Sequence, residues 1–203
     1  LKNKKRELTD KLFFITSFTV FGRENFSPSR FLFWANYSFL FLASFPKYPF
    51  FVFHKKKVTI FGSARTERDN EMYHKCFEFS RRLAEKGYMI ITGGGSGIMQ
   101  AGNEGAGGEN SFAVNIRLPF EQTPNPVMSN NRRLITYKYF FNRKVAFVKE
   151  ANAVAVFPGG FGTLDEAMEV FTLIQTGKTS PKPLILIDDR DGYWEQFLDF
   201  IKE

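Results

Sequence analysis

The sequence predicts an α/β domain built on a doubly wound parallel sheet, and three observations support that prediction. Short apolar runs alternate with helical patterns from residue 57 to the end of the chain. Two of these runs, residues 88–92 and 153–157, lead directly into glycine-rich loops that open a helix. Continuous apolar runs of this length are typical of strands that a parallel sheet buries on both faces.

The elements follow one another at regular spacing. We expect strands at residues 58–61, 88–92, 112–116, 134–138, 153–157 and 183–188. Helices are predicted at residues 70–86, 98–107, 140–151, 163–176 and 192–203. The first helix ends at Gly87, a C-cap glycine. The loop at residues 118–131, rich in Pro and Asn, is long enough to be a lid or a substrate contact.

The basic character of the chain belongs to its first 57 residues. The 203 residues carry a net charge of +7, a balance that at first sight suggests nucleic-acid binding. Residues 1–57 hold 11 Lys+Arg and 3 Asp+Glu, a net of +8, whereas residues 58–203 hold 17 and 18, a net of −1. We therefore predict a single domain at residues 57–203 that does not bind nucleic acid, with an extension at residues 1–56. The last helical pattern is still periodic at residue 203, as in a domain cut short at its C-terminus.

The extension is aromatic and names no function. Half of the 26 phenylalanines lie between Phe13 and Phe53, with no steady period. The longest uncharged run, residues 31–46, is short for a membrane-spanning helix, so we predict no membrane span. Three interpretations stay open: an interfacial aromatic anchor, an extra helix packed on the domain, and upstream sequence translated from a misplaced start.

The chain has a single cysteine, which bears on compartment and metal binding. Cys76 cannot form an internal disulfide, which fits a reducing cytoplasm. His74 and Cys76 are too few for a metal site, so we predict no metal.

The segment from Pro158 to Glu166 predicts an anion site at the start of a helix. It reads Pro-Gly-Gly-Phe-Gly-Thr-Leu-Asp-Glu. Glycines let the backbone approach a ligand, and the N–H groups and positive dipole end of a helix hold phosphate. Glu166 is expected in the first helical turn. It is either a capping residue three after Thr163 or a group that acts on something attached to the phosphate.

A second glycine cluster, at residues 93–97, repeats this strand–loop–helix arrangement. Neither loop fits the dinucleotide fingerprint or the Walker A pattern. Two such loops in one α/β domain favour binding of a nucleotide or a sugar phosphate. Ser63 and Arg65, after the first strand, either face that nucleotide or form a structural turn.

Three motifs, at residues 93–99, 139–144 and 158–166, resemble those of a known family and occur in the same order. Residues 93–99, Gly-Gly-Gly-Ser-Gly-Ile-Met, are similar to its GGGxxGxM segment, and residues 158–166 match its PGGxGTxxE signature at every fixed position. Residues 139–144, Tyr-Phe-Phe-Asn-Arg-Lys, are similar to its Arg-Lys helix. The family is the LOG (Lonely Guy) group of cytokinin riboside 5′-monophosphate phosphoribohydrolases, long mislabelled as lysine decarboxylases. Plant-type members carry Met-His-Glu where this chain has Phe-Phe-Asn, and residues 118–122 are more like the bacterial branch.

The resemblance implies a Rossmann-like fold and a reaction. The reaction is hydrolysis of the N-glycosidic bond of adenosine 5′-monophosphate, or of an N6-modified form, without a cofactor. The resemblance implies that Arg143 and Glu166 are the catalytic pair, and that the protein is a homodimer whose Arg143 helix lies near the subunit contact. We predict that phosphate and nucleotide are bound by Gly159, Gly160, Gly162, Thr163, Gly94, Gly95, Ser63 and Lys144. By spacing alone Arg143 would be a solvated residue, because Phe141, Val145 and Val148 form the predicted buried stripe of its helix.

Two other functions remain open on the sequence. The first is a non-catalytic carrier of a nucleotide or of the molybdenum cofactor, since such carriers look like relatives of this fold. The joint presence of Arg143 and Glu166 separates an enzyme from a mere binder. The second is a decarboxylase, which needs a Schiff-base lysine in a desolvated pocket. Lys144, beside Arg143 on a face predicted to be exposed, is a poor match for that role.

Overall fold

The computed structural model describes residues 55–117, 123–189 and 191–202. The strands are β1 (Lys57–Phe61), β2 (Met89–Thr92), β3 (Ser111–Ile116), β4 (Leu134–Tyr137), β5 (Ala153–Val156) and β6 (Leu184–Leu186). The helices are α1 (Glu71–Glu85), α2 (Ile98–Ala106), α3 (Phe140–Glu150), α4 (Phe161–Gln175) and α5 (Tyr193–Lys202). A 3₁₀ turn, Gly108–Asn110, precedes β3. Each element expected from the sequence has a counterpart here.

The strands form one parallel sheet in the order β4-β3-β2-β1-β5-β6. The chain runs outward from β1 to β4, and α3 then returns it to β5 on the other side of β1. The direction of winding therefore reverses between β1 and β5, whose register pairs Val58 with Ala153 and Phe61 with Val156. Ligands of such sheets bind beyond the carboxyl ends of the strands at this reversal. The doubly wound, Rossmann-like prediction is confirmed.

The strands contribute side chains to two hydrophobic cores, one on each face of the sheet. Val58 and Ile60 of β1 pack with α1 and α2 in the first core. Phe61 packs with α3 and α4 in the second, where its ring meets that of Phe147 edge-on at a centroid distance of 5.1 Å. The hydroxyl of Thr59, which is fully buried, donates to the carbonyl oxygen of Phe147 at 3.0 Å and ties β1 to α3.

The start of α4 differs from the sequence-based prediction. The helix begins at Phe161, two residues early, with Gly160 as its N-cap and no side-chain cap. Thr163 is therefore not the capping residue, and Glu166 lies in the second turn rather than the first. The capping-box interpretation of Glu166 is wrong, because that role requires Thr163 to precede the helix.

The buried side of α3 also differs from the prediction. Phe141 and Val145, expected in the core, are 49% and 43% exposed. The buried residues are Asn142, Ala146, Phe147 and Val148. Only Val148 of the predicted stripe is correct, because the helix is apolar on two sides and spacing alone does not tell which side meets the sheet.

The loop between β3 and β4 is described from residue 123 onward, and residues 118–122, which carry the bacterial-type stretch, lie outside the described residues. Asn125 holds this part of the loop down, since its backbone N–H donates to Gly94 O at 2.8 Å. No helix among residues 55–117, 123–189 and 191–202 is long and apolar enough to cross a bilayer.

Candidate active site

The loops that follow β1, β2 and β5 meet at the carboxyl edge of the sheet. The Ser63 N–H donates to Pro158 O at 3.1 Å, and Ser63 O accepts from the N–H of Ile98 at 3.0 Å. A Cβ atom on Gly97, whose φ is +63°, would overlap Ser63 O. Ser63 thus ties the β5 loop to the start of α2, and its role as a nucleotide contact stays a prediction.

The glycines at the start of α4 fall into two kinds. A Cβ atom on Gly159 would overlap the Thr163 hydroxyl and lie 2.9 Å from the Ser63 nitrogen, so Gly159 is required for packing. Cβ atoms on Gly160 and Gly162 would meet nothing within 4 Å, and neither residue has a positive φ. The chain's own geometry therefore does not require glycine at these two positions, which open onto free space at the helix end.

The start of α4 leaves three backbone N–H groups without intrahelical acceptors. The first hydrogen bond of α4 runs from the Thr163 N–H to Gly160 O at 3.0 Å. The N–H groups of Gly160, Phe161 and Gly162 precede it, in the part of a helix whose donors lack intrahelical acceptors. An anion at this position would meet those donors together with the positive end of the helix dipole.

Arg143 lies in the interior of the site rather than on a solvated face. Its Nε donates to Val114 O on β3 at 2.9 Å, and its guanidinium carbon lies 5.1 Å from the centroid of the Phe147 ring. The guanidinium also lies against Gly93, where a Cβ atom would come within 2.6 Å of Nη2. Burial lowers the pKa of Arg143 while Glu166 raises it. Arginine stays charged in proteins, so the site contains a partly desolvated cation.

Lys144 joins α3 to α4 through a group of carboxylates. Its Nζ lies 2.7 Å from Asp165 Oδ2, 3.2 Å from Glu169 Oε2 and 4.0 Å from Glu166 Oε2. Although burial acts to lower it, the pKa of Lys144 is raised above its ordinary value by these carboxylates. Lys144 is therefore a protonated cation beside Glu166.

Glu166 is the most enclosed of the three carboxylates, with 12% of its side chain exposed, against 30% for Glu169 and 64% for Asp165. Burial raises its pKa above the usual range, while Lys144 and Arg143 act in the opposite direction. A carboxylate in such surroundings is more basic than one in water, which suits a group that accepts a proton.

The triple-glycine loop, residues 93–95, is buried behind Arg143 and does not line the open surface of the site. Gly93, Gly94 and Gly95 are buried, and a Cβ atom on Gly94 would lie 2.8 Å from that of Ala113. The Gly94 N–H donates to Thr92 Oγ1 at 3.0 Å, and Gly95 O accepts from the Asn125 side chain at 3.1 Å. The loop supports Arg143 at Gly93, and direct contact of Gly94 or Gly95 with a nucleotide stays a prediction.

Two residues of this region were not identified from the sequence. Asn125 holds the triple-glycine loop and also donates to Asn103 Oδ1 at 2.9 Å. Tyr193 donates from its hydroxyl to Gly159 O at 2.6 Å. Both act across the fold, so local spacing gives no signal for them. The Pro-Asn-Pro sequence around Asn125 indicates a loop and nothing more.

A separate open cleft of about 530 Å³ lies beside the β1 loop and α2. Its lining includes Arg65, Arg68, Ser96 and Gln100, but neither Arg143 nor Glu166. Arg65 is exposed there, and Arg68 is paired with Glu104. The structure therefore does not bring Arg65 to the Arg143–Glu166 group.

Comparison with known proteins identifies the family. The model of the family described as "Possible lysine decarboxylase" matches residues 96–203, more than half of the chain. The chain belongs to this family, the LOG family. The matched residues include α3, α4 and their charged side chains.

Curated LOG-family proteins are distant relatives. The chain is 30% identical over 151 residues to "Cytokinin riboside 5'-monophosphate phosphoribohydrolase LOG" of Oryza sativa subsp. japonica, covering 72% of this chain and 60% of the rice protein. It is 25% identical over 151 residues to the LOG2 protein of the same description from Arabidopsis thaliana, covering 72% of this chain and 68% of that protein. The match thus spans less than two thirds of the rice protein's length.

Solved structures agree on the fold of this LOG-family chain. The molybdenum cofactor binding protein of Rippkaea orientalis superposes with a TM-score of 0.54 at 20% identity, covering 73% of this chain and 86% of that one. DNA processing protein A of Helicobacter pylori gives a TM-score of 0.57 at 16% identity, covering 76% and 77%. At these identities the likeness concerns the fold alone.

The two kinds of glycine predict opposite effects of one substitution. Gly162→Ala should leave stability unchanged or raise it by about 0.5–1 kcal/mol, because alanine favours the helix. The same change keeps the backbone N–H but places a methyl group in the open space where the anion would lie. Binding of a phosphorylated ligand should therefore weaken about 10- to 100-fold, the cost of displacing the anion from one charge-assisted hydrogen bond. Gly159→Ala should instead destabilise the fold by about 1–3 kcal/mol through overpacking. Urea unfolding and ligand titration measure both effects; a destabilised Gly162→Ala protein would contradict this account.

The proximity of Lys144 to Glu166 predicts how the activity depends on pH. If Glu166 acts in its ionised form, activity is present above its pKa and is lost as the pH falls through it. Lys144→Met removes a cation that lowers that pKa, so the acid limb of kcat/KM should move to higher pH. Lys149→Met, an exposed lysine on the same helix, should leave the limb where it is. An unmoved or lowered limb in Lys144→Met would show that Lys144 does not tune Glu166.

Proposed function

We propose that this protein hydrolyses the N-glycosidic bond of adenosine 5′-monophosphate, or of an N6-modified form, to give the free base and ribose 5-phosphate. The observation that carries the proposal is one arrangement. A partly buried carboxylate, Glu166, lies 4.0 Å from the Lys144 ammonium and feels the charge of Arg143. It stands one helical turn beyond a helix end with open backbone donors. The names of the rice and Arabidopsis relatives point to the same reaction class.

In the proposed mechanism the start of α4 holds the phosphate. The N–H groups of Gly160, Phe161 and Gly162 would donate to the anion, and the helix dipole adds a positive potential. Binding energy from this remote phosphate would position the ribose for reaction. Glu166, in the next turn of the same helix, is then near the sugar and not near the phosphate, which limits repulsion between the two anions.

The bond to the base breaks with development of positive charge on the sugar. The C1′–N bond breaks, its electron pair leaves with the base, and water adds to C1′ while losing a proton. The Glu166 carboxylate stabilises the cationic sugar and accepts that proton, which its raised pKa favours. The departing base takes up one proton from solvent, so the products are the neutral free base and ribose 5-phosphate. Arg143 keeps the carboxylate ionised and is placed to contact the sugar or the departing base.

Neither rival function is favoured by a specific contact. A decarboxylase needs a deprotonated lysine to form a Schiff base, whereas the carboxylates around Lys144 raise its pKa. The likeness to molybdenum cofactor proteins rests on about 20% identity and concerns the fold alone. A carrier would also have no use for a carboxylate of raised basicity beside the anion loop.

Substitution of the carboxylate tests the proposal. Glu166→Gln should lower the rate of hydrolysis of adenosine 5′-monophosphate at least about 10²-fold, the usual cost of losing a general base, while nucleotide still binds. Asp165→Asn, the neighbouring and more exposed carboxylate, is the matched control and should retain activity. Arg143→Ala should behave like Glu166→Gln, and the double variant should cost less than the sum because the two residues act as a unit. Wild-type rates in folded Glu166→Gln would refute the mechanism.

We also propose that two copies of the chain associate through the exposed face of α3. Tyr139, Phe140, Phe141 and Val145 are each 42–53% exposed, and the rings of Tyr139 and Phe141 stack at 5.8 Å. Contiguous apolar surface of this kind is typical of protein contacts. The face continues from the residues beside Arg143, so the contact would border the active site.

A charge on this face tests the association. Phe141→Glu should turn a dimer into a monomer in light scattering, because a carboxylate would be buried without a partner. Phe200→Glu places the same charge on α5 at a residue that is 77% exposed, and should leave the dimer intact. A wild-type monomer, or a Phe141→Glu dimer of undiminished affinity, would exclude α3 as the contact.

A further inference from the structure

Tyr193 lies outside the proposed chemistry, yet its hydroxyl touches the backbone of the anion loop. It donates to Gly159 O at 2.6 Å, across 34 residues of sequence. Gly159 is the residue that packs against Thr163 and Ser63, directly before the N-cap of α4. This contact links the C-terminal helix to the loop proposed to bind phosphate.

The contact determines where one donor of the loop points. A trans peptide unit is planar, and its C=O and N–H groups point in opposite directions. The Gly159 carbonyl belongs to the same peptide unit as the Gly160 N–H. With the carbonyl held by Tyr193, the Gly160 N–H must point away from α5.

This peptide unit is easily turned without such a hold. It joins two glycines, and glycine adopts most backbone angles at little cost, so the unit can rotate as a whole. The preceding unit is held in the same manner, since Pro158 O accepts from the Ser63 N–H at 3.1 Å. Two consecutive carbonyls are therefore fixed by donors from β1 and α5.

Tyr193 is itself held rigidly. Its backbone N–H donates to Asp189 Oδ1 at 3.2 Å, and Asp188 accepts from the N–H groups of Trp194 and Glu195. Its ring meets that of Trp194 edge-on at 4.8 Å, and Trp194 is 1% exposed. The start of α5 thus places the hydroxyl without freedom to follow a turning loop.

We propose that Tyr193 is a positioning residue for phosphate recognition, whose hydroxyl holds the Gly159–Gly160 peptide so that the Gly160 N–H faces the bound anion. The inference rests on the proposed function, since it assigns a role within the same anion loop. In a protein without the hydroxyl, a fraction of molecules carries the carbonyl in place of the N–H. The apparent affinity for phosphate falls in proportion to the fraction that remains competent.

The test compares Tyr193→Phe with Tyr73→Phe. Tyr73 lies on α1, on the opposite face of the sheet, and its hydroxyl donates to Glu104 Oε2 at 2.7 Å. The control variant therefore loses a hydrogen bond of similar length. Calorimetric titration with ribose 5-phosphate should show binding about three- to ten-fold weaker in Tyr193→Phe and unchanged in Tyr73→Phe. A tenfold loss corresponds to about 1.4 kcal/mol, the upper end for one neutral hydrogen bond.

Kinetics provide the second readout. Tyr193→Phe should raise KM for adenosine 5′-monophosphate by the same factor and leave kcat within about twofold, because saturating phosphate selects the competent orientation. Any residual hydrolysis of adenosine, which has no phosphate, should not change. A simple loss of folded protein would lower both substrates' rates equally and spare KM.

The outcomes are separable. If the wild type binds ribose 5-phosphate and Tyr193→Phe binds it equally well, the inference is overturned while the proposed function stands. If the wild type binds no ribose 5-phosphate, the anion loop is not a phosphate site, and both ideas are refuted. Weaker binding in Tyr193→Phe alone, with KM raised and kcat kept, supports the inference.

Discussion

The parallel pairing of β1 with β5 is the constraint on which the rest of the structure depends. These strands are distant in sequence, and their register aligns Phe61 with Val156. Their loops consequently leave the sheet side by side, where the Ser63 N–H reaches Pro158 O. The connection from β4, at one edge of the sheet, to β5, beside β1, is made by α3. The same pairing therefore places α3 and α4 next to each other, with Arg143, Lys144 and Glu166 between them.

Electrostatics at the site follow from that adjacency. Lys144 faces three carboxylates of α4, while Arg143 is directed inward to β3 and Gly93. The two neighbouring cations thus have different surroundings: one neutralises the exposed side of α4, and the other is desolvated beside the site. Burial raises the pKa of Glu166, while the positive charges of Lys144 and Arg143 act to lower it. This division of roles explains why adjacent basic residues on one helix are not equivalent.

The sequence predicted the order of the strands and helices better than the exact start of α4 and the buried side of α3. Apolar runs and glycine loops predicted the parallel sheet and the helix that begins after Gly160, because each has a local pattern. Arg143 and Glu166 were singled out by the resemblance to the LOG family, and their catalytic role stays a prediction. The start of α4 was misplaced because capping rules expect a polar side chain, and Gly160 supplies none. The prediction of the buried side of α3 was wrong because the exposed side carries apolar residues at the same helical spacing as a core-facing stripe. The Arg143–Val114 and Tyr193–Gly159 contacts span 29 and 34 residues, so no local pattern could reveal them.

Product analysis tests the central claim most directly. The purified protein would be incubated in parallel with adenosine 5′-monophosphate, its N6-isopentenyl form and adenosine, and the products separated by chromatography. The account predicts free base and ribose 5-phosphate from one or both nucleotides, with kcat/KM far lower for adenosine, because the open backbone donors of α4 hold the phosphate. Equal kcat/KM for adenosine and its monophosphate, or no base released from either nucleotide, would contradict it.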